Sequence, residues 1–307
     1  MNRAWTNASN LRIMKAKSLI KYFSIAGLIV LQLNTHAQPN KFNAFQVKVS
    51  GKGQPMILLP GATCSGAVWD ETVSRYSKKY QCHVITLAGY AGVAPLEKPP
   101  YLDTYKNQII KYITENKLNH VILVGHSIGG FISLSIAAEA EPHLDRVIVV
   151  DALPFYADVI RPGAINGFNE AQAKSMLDNY NKMDDAQLKA TQLQVTKALC
   201  ADSSKWNQIA TWGATSDRKT MAYTFSEMLG YDLRQKISAI KVPVLVMAAF
   251  KGVPQYPQFT QENVLQTYRG QYSKCNTCVV KITPASKHFI MYDEPAWFNQ
   301  EMDSFLK

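Results

Sequence analysis

Seven short apolar runs punctuate the chain from Phe45 onward: FQVKVS at 45–50, PMILLPG at 55–61, HVITLAG at 83–89, HVILVGH at 120–126, RVIVVDA at 146–152, PVLVMAA at 243–249 and CVVKIT at 278–283. Each is rich in β-branched residues and bounded by turn formers, which predicts strands. The later runs are apolar at nearly every position, whereas a strand with one wet face alternates, so they read as strands buried on both faces. The stretches between them carry helical spacing: AVWDETVSRYSKKY, TYKNQIIKYITENKL, IGGFISLSIAAEA and the closing PAWFNQEMDSFL. In the second of these, Ile109, Ile110, Ile113 and Leu118 fall near one face. The alternation predicts an α/β fold with a mostly parallel central sheet flanked by helices.

One interval breaks the rhythm. Between RVIVVDA and PVLVMAA, residues 154–240 show three- and four-residue apolar steps (Met176, Leu177, Tyr180, Met183, Leu188, Leu193, Val195) and no convincing strand. An insert of this kind after a strand end reads as a helical cap over the sheet. Trp206, Trp212, Met221, Phe225 and Met228 within it either line a pocket for an apolar ligand or pack helices together. The expected organisation is a leader at 1–37, a core in two parts at 38–153 and 241–307, and the cap at 154–240.

The formal net charge of +10 suggests nucleic acid until the first 37 residues are set apart, because Arg3, Arg12, Lys15, Lys17 and Lys21 lie there with no acidic residue. The remainder of the chain holds 28 basic against 23 acidic residues without a basic block, so a nucleic-acid partner is not expected. The leader itself reads as an export signal: KAKSLIK, then an apolar run from Tyr22 to Leu33, then NTHAQ, where Thr35 and Ala37 fit a signal-peptidase site. The apolar run is short against the ~20 residues that span a bilayer, so cleavage after Ala37, with no membrane anchor retained, is expected. Translation could begin at Met1 or at Met14, after which the leader has the usual basic start. In an exported chain the CNTC at 275–278 can close a disulfide loop. A redox pair would instead open a helix after a strand, and CVVKIT reads as a strand beginning at Cys278.

The chemistry concentrates at Gly125-His126-Ser127-Ile128-Gly129, which fits G-x-S-x-G and lies between the apolar run VILV and the helical stretch GGFISLSIA. A serine on such a strand-to-helix turn adopts a strained backbone, and the residues two before and two after it must be small for strand and helix to cross. The helix start also directs N–H groups toward a developing negative charge. Ser127 is therefore the candidate nucleophile.

With LLPGATCSGAVWD, GHSIGG and SKHFIMYDEPAWF, the chain from about Phe45 to Lys307 resembles the α/β-hydrolase family, especially its cap-bearing, esterase-like members. The resemblance implies that the cap follows the strand after the nucleophile helix, and that the base sits in the loop before the last helix, which is His288. His126, beside the serine, is expected to pack and hydrogen-bond. The resemblance further implies an oxyanion hole made by the backbone N–H groups of Ile128 and Ala62, with Pro60-Gly61 replacing the family's common His-Gly. Cys64 nearby reads as a small buried hydrophobe.

The acid departs from the family's usual place. After PVLVMAAF comes KGVPQYPQFTQENV, with no carboxylate until Glu262. Some members carry the acid at the end of the preceding strand instead, where VIVVDALP places Asp151; the bland role of an aspartate there is a loop cap. Asp151 is taken ahead of Glu262 as the acid, and Asp293 and Glu294 are read as the N-cap region of the final helix. The expectation is an exported serine hydrolase acting on a small, fairly apolar carboxylic ester, with no metal or organic cofactor. The same fold hosts lactone, amide, thioester and carbon–carbon cleavage, and a non-catalytic binding protein is the rival that the empty usual acid position raises. A haloalkane dehalogenase would need a carboxylate where Ser127 stands.

Overall fold

The computed structural model of the protein describes residues 42–139, 142–252 and 260–307; the expected leader lies outside them. The seven apolar runs form seven strands: β1 (Phe45–Ser50), β2 (Gln54–Leu59), β3 (Tyr80–Leu87), β4 (Val121–His126), β5 (Leu144–Val150), β6 (Val244–Ala248) and β7 (Cys278–Ile282). They make one sheet in the order β1-β3-β2-β4-β5-β6-β7. Only the β1–β3 pairing is antiparallel; the others are parallel.

The near-continuous apolar sequences of the central strands follow from their burial on both faces. Side chains alternate across a strand, and here Ile57, Leu123, Val147 and Val244 enter one core while Met56, Ile122, Ile148 and Leu245 enter the other. Each face must therefore be covered by helices. In chain order, the first three are α1 (Asp70–Tyr76), α2 (Tyr101–Glu115) and α3 (Ile128–Ala138).

Between β5 and β6 the chain forms α4 (Tyr156–Ile160), α5 (Glu170–Asn181), α6 (Asp185–Leu199), α7 (Trp206–Ala214) and α8 (Arg218–Gly230), with no strand among the described residues of this interval. α9 (Gln261–Gln271), α10 (Ile290–Asp293) and α11 (Pro295–Phe305) complete the chain. One carboxylate ties the insert to the sheet layer. Glu227 of α8 is 1% exposed, and its two oxygens accept from the backbone N–H groups of Tyr101 and Leu102 at 2.9 and 2.8 Å. It thus supplies from another helix the capping that Pro100, the residue before α2, lacks the side chain to give. Cys275 and Cys278 are joined in a disulfide immediately before β7.

Candidate active site

The parallel strands end at one edge of the sheet, and the chain leaves three of them there into the site. β2 passes into Pro60-Gly61-Ala62, β4 into Ser127 and β5 into Asp151. Register places the last two side by side, since His126 pairs with Val150. The ladder continues one step beyond the strands: Ser127 N–H donates to Val150 O at 2.9 Å, and Asp151 N–H to Met247 O at 2.8 Å.

Ser127 has φ 53° and ψ −122°, the strained elbow the sequence pattern required. Its two glycines are there because backbone occupies their side-chain space. A Cβ on Gly125 would stand 2.2 Å from the Gly129 carbonyl oxygen, and one on Gly129 would stand 2.5 Å from that of Leu59. The turn leaves Ile128 as the first residue of α3, where no intrahelical acceptor exists for its N–H. Among the described residues, neither that amide nor the one of Ala62 is engaged in a hydrogen bond.

Asp151, also at positive φ (49°), presents two occupied oxygens. Oδ2 lies 2.6 Å from His288 Nδ1. Oδ1 accepts from Ala249 N–H at 2.8 Å and from the Tyr268 hydroxyl at 2.7 Å. Burial first, and then the adjacent Asp151 carboxylate, push the Tyr268 phenol well above its ordinary pKa, so it stays a proton donor at neutral pH. His288, the other partner of Asp151, has Nδ1 committed to that carboxylate, so Nε2 is the ring nitrogen left to serve as base.

Two further groups hold the His288 loop. His126, 1% exposed, donates from Nε2 to the His288 carbonyl at 3.0 Å, and the two rings lie 4.5 Å apart. Burial, with the nearby His288, drives the His126 imidazole well below its usual pKa, so it is neutral and packs as expected. Asp293 does not cap the final helix. Its Oδ2 accepts from Lys287 N–H at 2.8 Å, and its Oδ1 accepts from the N–H groups of Ala201 and Asp202 at 2.8 and 3.1 Å. It thereby binds the His288 loop to the segment between α6 and α7.

Ser127, His288, Asp151, Ala62 and Ile128 all line a single cavity of about 460 Å³, together with His126 and Tyr268. Glu262 is not among the lining residues; it is exposed on α9, where its Oε1 accepts from Gln266 at 2.6 Å. Met221, Phe225 and Met228 of the insert reach the cavity, whereas Trp206 and Trp212 pack against the core on one face of the sheet. Cys64 is 1% exposed and burial raises its thiol to about 12, which makes it unreactive at neutral pH.

Tyr268 and Asp293 carry no motif in the sequence. The one hint for Tyr268 is that a tyrosine on the inner face of an amphipathic helix needs a partner for its hydroxyl.

Residues 56–301 match the pattern described as "Alpha/beta hydrolase family". Among curated proteins, the chain is similar to pimeloyl-[acyl-carrier protein] methyl ester esterase of Vibrio cholerae, at 24% identity over 64% of this chain and 76% of that one. It is also similar to N-formylmaleamate deformylase of Pseudomonas putida, at 23% identity over 69% and 76%. Among solved structures, it resembles an esterase from Exiguobacterium antarcticum with a TM-score of 0.69, at 18% identity over 86% of this chain and 97% of that one. The enol-lactonase from Burkholderia xenovorans superposes with a TM-score of 0.66, at 16% identity over 85% and 96%.

Proposed function

The chain belongs to the alpha/beta hydrolase family, and from that premise and the geometry of its cavity we propose that it is an exported serine hydrolase cleaving a small, fairly apolar carboxylic ester. Ser127 Oγ attacks the ester carbonyl while His288 Nε2 takes its proton, and the resulting oxyanion is held by the amides of Ala62 and Ile128. Collapse expels the alcohol, which receives that proton from His288, and leaves Ser127 acylated. Water then attacks the acyl-enzyme with His288 again as base, releasing the acid and restoring the serine. Asp151 fixes the His288 tautomer and stabilises the imidazolium formed in each step.

The observation that carries this reading is the 2.6 Å contact between His288 Nδ1 and Asp151 Oδ2 in a cavity that Ser127 also lines. The helical insert acts as the cap: Met176, Val195, Leu199, Met221, Phe225 and Met228 give the cavity an apolar wall suited to an acyl or alkyl group. Relatives named as a methyl ester esterase and a deformylase support acyl transfer to water as the reaction class. The deciding experiment is active-site labelling by a fluorophosphonate, which should modify the wild-type protein at Ser127.

Tyr268 acts as a positioning residue for Asp151. Tyr268→Phe keeps the ring but removes one donor to a carboxylate, a bond worth ~1.5–3 kcal/mol. It is expected to lower kcat on a p-nitrophenyl ester about tenfold or more with KM little changed. An unchanged kcat would remove Tyr268 from this role.

Export follows from the leader, and the disulfide between Cys275 and Cys278 is compatible with an oxidising compartment. Expression of the full chain in a bacterial host, followed by N-terminal sequencing of the exported protein, is expected to begin at Gln38. Retention of the leader on protein confined to the cytoplasm would refute export.

A further inference from the structure

We infer that the preferred substrate is an uncharged ester bearing a secondary amide, and that the carboxamide of Gln192 on α6 recognises this amide. The inference rests on the acyl-enzyme reading above and specifies the substrate of the same site.

Charge is the first constraint. Among the described residues, no lysine, arginine or glutamate lines the cavity, and the one carboxylate among them that does, Asp151, has its oxygens occupied by His288, Tyr268 and Ala249. A substrate carrying its own carboxylate or ammonium group would lose its water there without gaining a counter-charge.

The second constraint is a polar group in an otherwise apolar wall. Gln192 lines the cavity and is 8% exposed. Among the described residues its carboxamide has no hydrogen-bond partner, although its backbone carbonyl accepts from Thr196 Oγ1 at 2.8 Å. Its polar atoms are not among the sealed and unpaired ones of the described residues, so they border accessible space, and a bound substrate group is a partner they can take up there.

The fold also makes room for the carboxamide in this position. α6 and α7 approach at Gly213, where an added Cβ would stand 2.5 Å from Gln192 Oε1 and 2.9 Å from its Cδ. A side chain at 213 would push the carboxamide aside. A glutamine side chain both donates and accepts, and a secondary amide can answer whichever end the carboxamide presents, with its carbonyl oxygen or with its N–H, through one hydrogen bond.

The test compares p-nitrophenyl esters of N-acylated β-alanine, γ-aminobutyrate and δ-aminovalerate with plain fatty acyl esters of matched chain length, so that the amide is moved along the chain. An ω-carboxylate ester of the same length completes the set. For the wild-type protein, the best amide ester should exceed its plain counterpart in kcat/KM about tenfold, the worth of one good neutral hydrogen bond. The ω-carboxylate ester should be the poorest of the set.

Gln192→Leu removes the carboxamide, and Gly213→Ala displaces it, since the added Cβ would stand within 3.0 Å of Gln192 Oε1, Cδ and Cγ and the side chain must shift from Cγ outward. Both are expected to bring the amide-to-plain ratio to about one. A wild-type protein with no amide preference at any position, a ratio that survives Gln192→Leu, or efficient turnover of the ω-carboxylate ester would each overturn the inference. These failures are separable from failure of the hydrolase reading, because fluorophosphonate labelling of Ser127 reports on the latter without any amide.

Discussion

Ser127→Ala is expected to abolish covalent labelling by a fluorophosphonate and to lower kcat on p-nitrophenyl butyrate by about 10⁴-fold or more. The size of the effect comes from what the substitution leaves behind. The cavity and the amides of Ala62 and Ile128 survive, so an ester can still bind and its carbonyl can still be polarised, but no atom remains to form the acyl-enzyme. Alanine is sterically easy at this elbow, because the two flanking glycines already provide the space that lets β4 and α3 cross. Loss of activity should therefore come without loss of fold, which circular dichroism and a thermal melt would check. The wild-type protein is the more informative half of the pair. If it folds and yet fails to label, the serine hydrolase proposal is wrong, and the rival of a binding protein on a hydrolase fold takes its place.

Asp151→Asn should cost nearly as much, about 10⁴-fold in kcat. Asp151 makes three contacts: it accepts from His288 Nδ1, the Tyr268 hydroxyl and Ala249 N–H. An asparagine in its place offers one oxygen and one NH₂ group. Whichever way the amide turns, either His288 faces a donor and takes the wrong tautomer, or Tyr268 and Ala249 lose their acceptor. Glu262→Gln provides the comparison. Its side chain is exposed and bonded only within its own helix, to Gln266, so its replacement should change kcat less than twofold. Steady-state kinetics of the two variants on one p-nitrophenyl ester decides the assignment, and the reverse ranking would move the acid from Asp151 to Glu262.

Much of this architecture is legible without coordinates. The seven apolar runs correspond to the seven strands because the central ones, buried on both faces, must be apolar at successive positions, while the edge strands β1 and β7 carry alternating or exposed positions, and both requirements are local. Gly125 and Gly129 are legible for the same kind of reason, since the elbow needs small residues at fixed offsets from Ser127 whatever lies elsewhere. His288 is found by its place after the last strand.

The partners of Asp151 are not legible in this way. Tyr268 looks like any aromatic on an amphipathic helix, and Asp293 looks like a capping residue next to Pro295. One becomes a donor to Asp151 and the other a clamp on the His288 loop only because α9 and α10 dock where they do. The insert shows the same division. Its helical spacing is plain in the sequence, yet nothing in that spacing separates Met221, Phe225 and Met228, which reach the cavity, from Trp206 and Trp212, which do not.

The sequence by itself thus determined the elements, their buried faces and the nucleophile turn, since each depends on residues within a few positions of one another along the chain. The tertiary structure alone decided what holds Asp151 against His288 and which side chains of the insert border the cavity. Those are pairings between residues that the chain separates by tens of positions or more, and a hydrogen bond depends on distance and angle in space, which periodicity along a sequence does not encode.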